Sequence, residues 1–128
     1  MMPVKSELQL DMLKPNMKKL TDLSKKYDVT GVHAFTVNSE DGHIHARNFA
    51  PLCGIDEEAA TGTSNGALIY YLYDYNYIRT NKIYTVIQGE KMKRPSKITT
   101  IVEETFDSVN IKVGGFAKTL IVGEILID

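Results

Sequence analysis

The stretch Arg47 to Gly66, RNFAPLCGIDEEAATGTSNG, gathers three carboxylates, Asp56, Glu57 and Glu58, just ahead of a Gly/Thr/Ser turn that opens a long apolar run. If that run is a helix, its first turn presents unpaired backbone N–H groups and the positive end of the helix dipole. The amides of Gly62, Thr63 and Ser64 could then hold a substrate carboxylate, and Gly62 would let the ligand approach the backbone closely. A neighbouring side-chain carboxylate could move a proton on the held molecule. Both parts of an acid/base site are therefore present. The same spacing also suits a structural role, since acids before a helix serve as caps and dipole partners and Gly-rich entries allow close packing. Nucleotide binding is disfavoured: the lysine of a phosphate loop and the full GxGxxG spacing are both missing, and the preceding acids would repel phosphate.

Other reactive side chains have weaker patterns. His43 and His45 fall on the same side of a strand, as two metal ligands would, but no third ligand has clear spacing, so no metal is assigned and an exposed hairpin is the preferred reading. Arg47 shares the polar face of that hairpin, where a structural ion pair is preferred over a ligand contact. Lys91, Lys93, Arg94 and Lys97 surround Pro95 without interleaved aromatic residues, which reads as a solvated loop and not a nucleic-acid surface. The single cysteine, Cys53, excludes an internal disulfide and any CxxC arrangement and is read as a small buried apolar residue.

The elements that must position these residues follow from periodicity. Leu13, Met17, Leu20, Leu23 and Tyr27 recur at helical spacing, with Pro15 near the start, and predict one amphipathic helix ending before Gly31. Val32–Asn38 and His43–Phe49 flank Asp41-Gly42, a dipeptide suited to a type I′ turn, and predict a hairpin. In that register Phe35, Val37, Ile44 and Ala46 share an apolar face, while Thr36, Asn38, His45 and Arg47 share a face that is wet or lines a site. Thr61 to Tyr77 is apolar or aromatic nearly throughout after Gly66, which predicts a helix buried all round, its tyrosines in the core first and a ligand wall second. Strands are expected over Ile83–Gln88, Ile98–Val102, Val109–Val113 and Leu120–Ile127, the last broken by Gly123. The fold class is thus α+β, a strand-rich shell around one apolar helix.

Composition narrows the function classes. A chain of 128 residues that is 43% hydrophobic and 24% charged suits one folded domain over residues 1–128, without internal repeats or low-complexity linkers. A formal charge of -1 offers no footprint for nucleic acid or an anionic membrane. Met1 to Leu8 alternates apolar and charged residues, unlike a signal peptide, and no apolar stretch is long enough to cross a bilayer. With its lone cysteine, the chain is expected in the cytoplasm.

The segment RNFAPLCGIDEEAATGTS, Arg47 to Ser64, resembles the motif RFFAPxxGIxEDPATGSA of the PhzF family of phenazine-biosynthesis-like isomerases, which share the diaminopimelate epimerase-like fold. Gln88, Gly89, Met92, Arg94, Pro95 and Ser96 are similar to the family's QGxxMGRPS, and the closing VGGFAKTLIVGEIL to its final Gly-containing strands. Similarity is close from Arg47 to Ile127 and looser before. The resemblance implies an antiparallel or mixed β-shell wrapped around a central buried helix, equivalent to the C-terminal half of a member. It implies a site in a cleft between two pseudo-symmetric domains, working without cofactor, where carboxyl groups shuttle protons on small acids.

Carried over by position, Glu58 falls on the aspartate of EDPATG, and Gly62 with Thr63 on the turn that binds the substrate carboxylate. Glu58 replaces that aspartate and Ala59 the proline, so the carboxylate sits one methylene farther out on a looser backbone. Placement errors of about 1 Å can cost about 10²-fold in rate. The resemblance also implies that an N-terminal half, with the family's principal glutamate base and a histidine, lies outside these residues. Two functions are expected in consequence. One is a PhzF-like isomerase half with Glu58 as acid/base and Gly62, Thr63 and Ser64 as carboxylate clamp, completed as a homodimer or by a separate N-terminal-half chain. The other is a noncatalytic small-acid-binding or interaction domain.

Overall fold

Seven short strands form one mixed sheet in this protein, with β2 and β3 buried along nearly their whole length. The computed structural model describes residues 1–127. The strands β1 (Met2–Pro3), β2 (Val32–Thr36), β3 (Ile44–Ala50), β5 (Ile83–Gln88), β6 (Ser96–Glu104) and β7 (Val109–Gly114) lie in that spatial order, with β4 (Ile55–Glu58) paired beside β3. β1 and β2 are parallel, as are β3 and β5; the other pairs are antiparallel. β2 takes one edge of β3, while β5, at Ile44–Ala46, and β4, at Asn48–Ala50, take turns on the other. The ends of β4 and β5 are thereby brought together. The α+β class is as the sequence predicts.

The amphipathic helix is α2 (Met17–Tyr27), capped by the Asn16 side chain and closed by Asp28 in the left-handed region. A further helix, α1 (Glu7–Met12), precedes it, capped by Ser6. Pro15 separates the two, since a residue before proline is driven out of the helical region. The hairpin is present, with a correction to its turn. Gly42 has φ 74 but Asp41 does not have positive φ, so the turn is not type I′. The Asp41 carboxylate instead accepts the His43 amide at 2.8 Å inside a longer loop. Thr36 sits opposite His45, where a two-residue turn would have set Asn38. This displacement of two preserves side-chain alternation. Phe35, Ile44 and Ala46 accordingly form the expected apolar face, while Val37 lies outside the strand and exposed. The opposite face is partly covered, Leu10 of α1 packing with Ala34 and Phe49 and flanked by Leu13, Met17 and Leu20, while at His45 it lines a cavity.

The third helix, α3 (Gly62–Asp74), buries Leu68, Ile69 and Leu72 against Phe35, Ile44, Val86, Ile98 and Val102. Only one side of it is covered. Tyr70, Tyr75 and Tyr77 are exposed, whereas Tyr71 packs edge-on to Phe35 with ring centroids 5.7 Å apart. The predicted enclosure of α3 on all sides is therefore corrected to a helix on one face of a sheet. The strand predicted over Leu120–Ile127 is also not formed; its apolar side chains are 83–91% exposed, beyond the last strand of the sheet. Among the described residues no helix is long and apolar enough to cross a membrane.

Candidate functional site

The acidic turn sits where β4 and β5 end side by side: Glu58 opposite Asn48, and Gln88 opposite Ala46. Gln88 is fully buried and spends its amide on the turn. Its Oε1 accepts from the Thr61 amide at 3.3 Å and Asn65 Nδ2 at 2.7 Å, and its Nε2 donates to the Glu58 carbonyl at 2.7 Å and Thr61 Oγ1 at 3.0 Å. That uses both donors and both acceptor sites of the side chain. Gly89 follows with φ 87, and a Cβ there would lie 2.8 Å from the Ala59 carbonyl oxygen. The turn thus leans on bare backbone, which requires glycine on both counts.

Thr61 is the extended N-cap of α3 but makes no side-chain cap bond, because its hydroxyl donates to Glu58 Oε2 at 2.5 Å. The helix ladder begins only with the Asn65 amide, bonded to the Thr61 carbonyl at 3.1 Å. The amides of Gly62, Thr63 and Ser64 therefore have no protein acceptor among the described residues, as expected for a helix start without a cap. Of the three carboxylates, Asp56 is exposed and Glu57 is engaged by Arg47 through two parallel bonds of 2.8 Å. Arg47 is buried and also donates to the Leu10 and Leu13 carbonyls at 3.0 and 3.1 Å, tying the end of α1 to the sheet. The structural ion pair preferred for Arg47 is present. Glu58 is half-buried, and its Oε1 is unbonded among the described residues.

The predicted residues do not all share one cavity. Glu58 lines a space of about 530 Å³ with Met92, Arg94, Pro95 and Ser96. Thr63 and Ser64 line another, of about 440 Å³, with His33, Asn48, Gly31 and Ala67. Gly62 lies on the turn between Glu58 and these two residues, and is exposed.

The wall of the second cavity holds a polar network that sequence reasoning missed. His33 is 4% exposed and lies between Asn48, 3.0 Å from Nδ1, and Asn65, 3.3 Å from Nε2. Burial holds its pKa below the ordinary value and keeps the ring neutral, against the hydrogen bonds to the two asparagines. Asn65 donates its NH₂ to Thr61 and Gln88, so its oxygen faces His33, and Nε2 carries the proton. Nδ1, the acceptor in that tautomer, has Asn48 Oδ1 at 3.0 Å, and the pair is complementary only with the Asn48 amide flipped to present its NH₂. Two signals were available: Asn65 is polar within an apolar helix, and Asn48 stands where the quoted motif has phenylalanine.

Two further readings are corrected. Cys53 is exposed, because it ends a 3-10 turn, Pro51–Cys53, outside both cores. His45 is 5% exposed rather than on an open hairpin, since α1 covers that face. The ring is surrounded by Glu7, Asp41 and Glu90, and its pKa is raised: burial works against the charge, but the hydrogen bonds to Glu90 and Asp41 and the charges of Glu90 and Glu7 outweigh it. The basic loop is exposed as expected, at Lys91, Lys93, Arg94 and Lys97.

A mixed sheet packed on one apolar helix whose glycine-led start follows an acidic turn fits the α+β, diaminopimelate epimerase-like class. The chain belongs to the phenazine biosynthesis-like protein family, PhzC-PhzF, whose profile matches residues 1–123. It is 34% identical over its full length to an uncharacterized isomerase of Clostridium acetobutylicum, of which it covers 44%. It is 31% identical over 74 residues, 57% of the chain and 27% of the relative, to the trans-2,3-dihydro-3-hydroxyanthranilate isomerase of Pseudomonas aeruginosa. The fold is similar to that of a PhzF-family phenazine biosynthesis protein of Bacillus anthracis, with TM-score 0.72 at 22% identity, over 87% of this chain and 39% of that one. The chain thus spans less than half the length of these relatives.

Proposed function

We propose that this chain is half of a PhzF-like isomerase site that moves a proton on a small carboxylic acid without a cofactor. Gly62, Thr63 and Ser64 hold the substrate carboxylate on their amides, and Glu58 acts as acid/base across the turn. A second chain, either another copy or an N-terminal half, closes the cleft in the cytoplasm. The observation that carries this reading is the set of three unbonded amides at the start of α3, four residues beyond a carboxylate whose turn is held by Gln88. A turn fixed on all sides before a ligand arrives limits the ordering cost of binding.

The reading is tested by proton exchange from D₂O into dihydroaromatic acids, with and without an N-terminal-half chain from a relative. Exchange is expected to fall by about 10²–10⁴-fold in Glu58→Gln. Equal exchange by wild type and Glu58→Gln would remove Glu58 from the chemistry. The separate cavities of Glu58 and of Thr63 with Ser64 favour a second reading, a noncatalytic small-acid-binding domain. Binding of the acid that Thr63→Pro weakens, with no exchange in any combination of chains, would select it.

A further inference from the structure

His45 stands where its own hairpin meets two segments that are distant in sequence. Its Nδ1 is 2.7 Å from Glu90 Oε2, in the 3-10 turn after β5. Its Nε2 is 3.1 Å from Asp41 Oδ1, in the hairpin loop, and 3.8 Å from Glu7 Oε1, in the first turn of α1. A neutral imidazole has a single N–H. Spent on Glu90, the nearer partner, it leaves the Nε2 lone pair of a ring that is 5% exposed aimed at two carboxylate oxygens, which are also acceptors only. In the metal-free chain that conflict is met by a second proton on the ring, donated by Nε2 to Asp41; a cation between the three atoms would take its place.

We propose that Glu7, Asp41 and His45 form a binding site for a first-row divalent cation, with Zn²⁺ as its probe. The three ligand atoms lie within 4.8 Å of one another. A tetrahedral ion with bonds of about 2.0–2.1 Å spaces its ligands about 3.4 Å apart. The separations of 3.1 and 3.8 Å from Nε2 bracket that spacing. Glu90 is the outer carboxylate that fixes the tautomer and presents Nε2 to the ion, a recurrent partner of metal-bound histidine. The two carboxylates are themselves held by backbone donors: the Glu40 amide to Glu7 Oε1 at 3.1 Å, and the His43 amide to Asp41 Oδ1 at 2.8 Å. A cavity of about 400 Å³ lined by Glu7, His45 and Glu90 leaves room for water as a fourth ligand. Lys91 and Lys93 share its rim and moderate the affinity. An imidazole in the set favours Zn²⁺ over Mg²⁺, which takes oxygen ligands. The ion would clip α1 to the hairpin and to the loop after β5, on the face of the sheet opposite α3. It is independent of the function proposed for the Glu58 turn.

The test is calorimetric titration of the full chain with ZnCl₂ at pH 7.5 in chelator-free buffer, in a Cys53→Ser background because the exposed thiol is a rival ligand. One Zn²⁺ per chain is expected, with affinity at least about tenfold lower in Asp41→Asn, Glu7→Gln and Glu90→Gln, unchanged in His43→Gln, and no binding of MgCl₂. Circular dichroism checks that the variants fold. In the wild type Zn²⁺ is expected to shift the Nε2 resonance of His45 and leave that of His43 in place. Absence of Zn²⁺ binding, binding by Asp41→Asn and Glu7→Gln as tight as wild type, or a shift confined to His43 would overturn the proposal.

Discussion

Gln88 makes the acidic turn a fixed object, since one buried amide bonds to Glu58, Thr61 and Asn65 together. Gln88→Leu keeps the apolar volume but removes the acceptor from the Thr61 amide and the donor from the Glu58 carbonyl. It is expected to cost about 1–3 kcal/mol for each backbone group left buried and unpaired, read as a lower urea midpoint. An unchanged midpoint would mean that the turn is held by other contacts. Glu58→Asp withdraws the carboxylate by a methylene and restores the residue of the family motif. Under the proposed function it should raise proton exchange in the two-chain assay, by up to about 10²-fold if placement limits the rate. His33 gives a pH signature. Its folded pKa is below the unfolded value of 6.5, so the unfolded chain binds more protons, and stability falls as pH drops through 6.5 and below. His45, with its raised pKa, has the opposite sign: its contribution is present below 6.5 and lost as pH rises through the higher folded value. Comparing wild type with His33→Gln between about pH 5 and about pH 7.5 isolates the first effect, the two lying about 1.5 units below and about one unit above an ordinary histidine. The variant should lose less stability on acidification, as measured by urea denaturation at each pH.

At the scale of elements, α3 and β7 meet at glycine. A Cβ at Gly66 would come 3.3 Å from Val113 Cγ2, tighter than ordinary contact, but Val113 is on the outermost strand and 39% exposed, so it has room to yield. Glycine within a helix costs about 0.5–1 kcal/mol relative to alanine. Gly66→Ala is therefore expected to stabilise the chain by up to that amount, seen as a higher thermal midpoint; a lower midpoint would show that Val113 cannot move. The elements themselves were largely legible. The spacing of Met17, Leu20, Leu23 and Tyr27 marked the existence of α2, although Leu23 and Tyr27 are exposed and only the Met17 and Leu20 end packs on the core, and the runs of β-branched residues marked β5, β6 and β7. Partners distant in sequence were not legible. Nothing near His45 announces that Glu7 and Glu90 will surround it, and nothing near Gln88 that it will bond to the Glu58 turn. α1 was missed because six residues hold too few apolar positions to display a stripe. α3 was judged enclosed because its tyrosines count as apolar in a pattern, although a tyrosine ring can lie half in water with its hydroxyl bonded, as Tyr73 does to Glu104 at 2.9 Å. The amides of the candidate site were legible from the Gly/Thr/Ser entry to α3; their separation from the Glu58 cavity was not, since it depends on how β4 and β5 divide one edge of β3.

For the molecule as a whole, the balance of covered and open surface argues for association. The apolar side chains of Leu120, Ile121, Val122, Ile125, Leu126 and Ile127 are 83–91% exposed in one run, and Tyr70 adds to the open side of α3. Contiguous apolar surface of this kind is uncommon on a lone soluble chain and marks a surface that is covered by something else. The family relationship fits, because the chain covers only 44% of the Clostridium acetobutylicum isomerase that it matches. Each large apolar side chain buried contributes about 1.5–3 kcal/mol. The six together could hold a complex against the loss of free movement on association, which costs about 4–15 kcal/mol. The chain of 14.4 kDa is accordingly expected to sediment as a dimer or larger species at micromolar concentration, or to form a one-to-one complex when an N-terminal half is supplied. Replacing Leu120, Val122 and Leu126 with serine should weaken either complex at least about tenfold, one factor of ten being 1.4 kcal/mol. A wild-type chain that sediments at 14.4 kDa at all concentrations, and ignores a supplied N-terminal half, would show instead that the open apolar run is tolerated and that no second chain completes the Glu58 site.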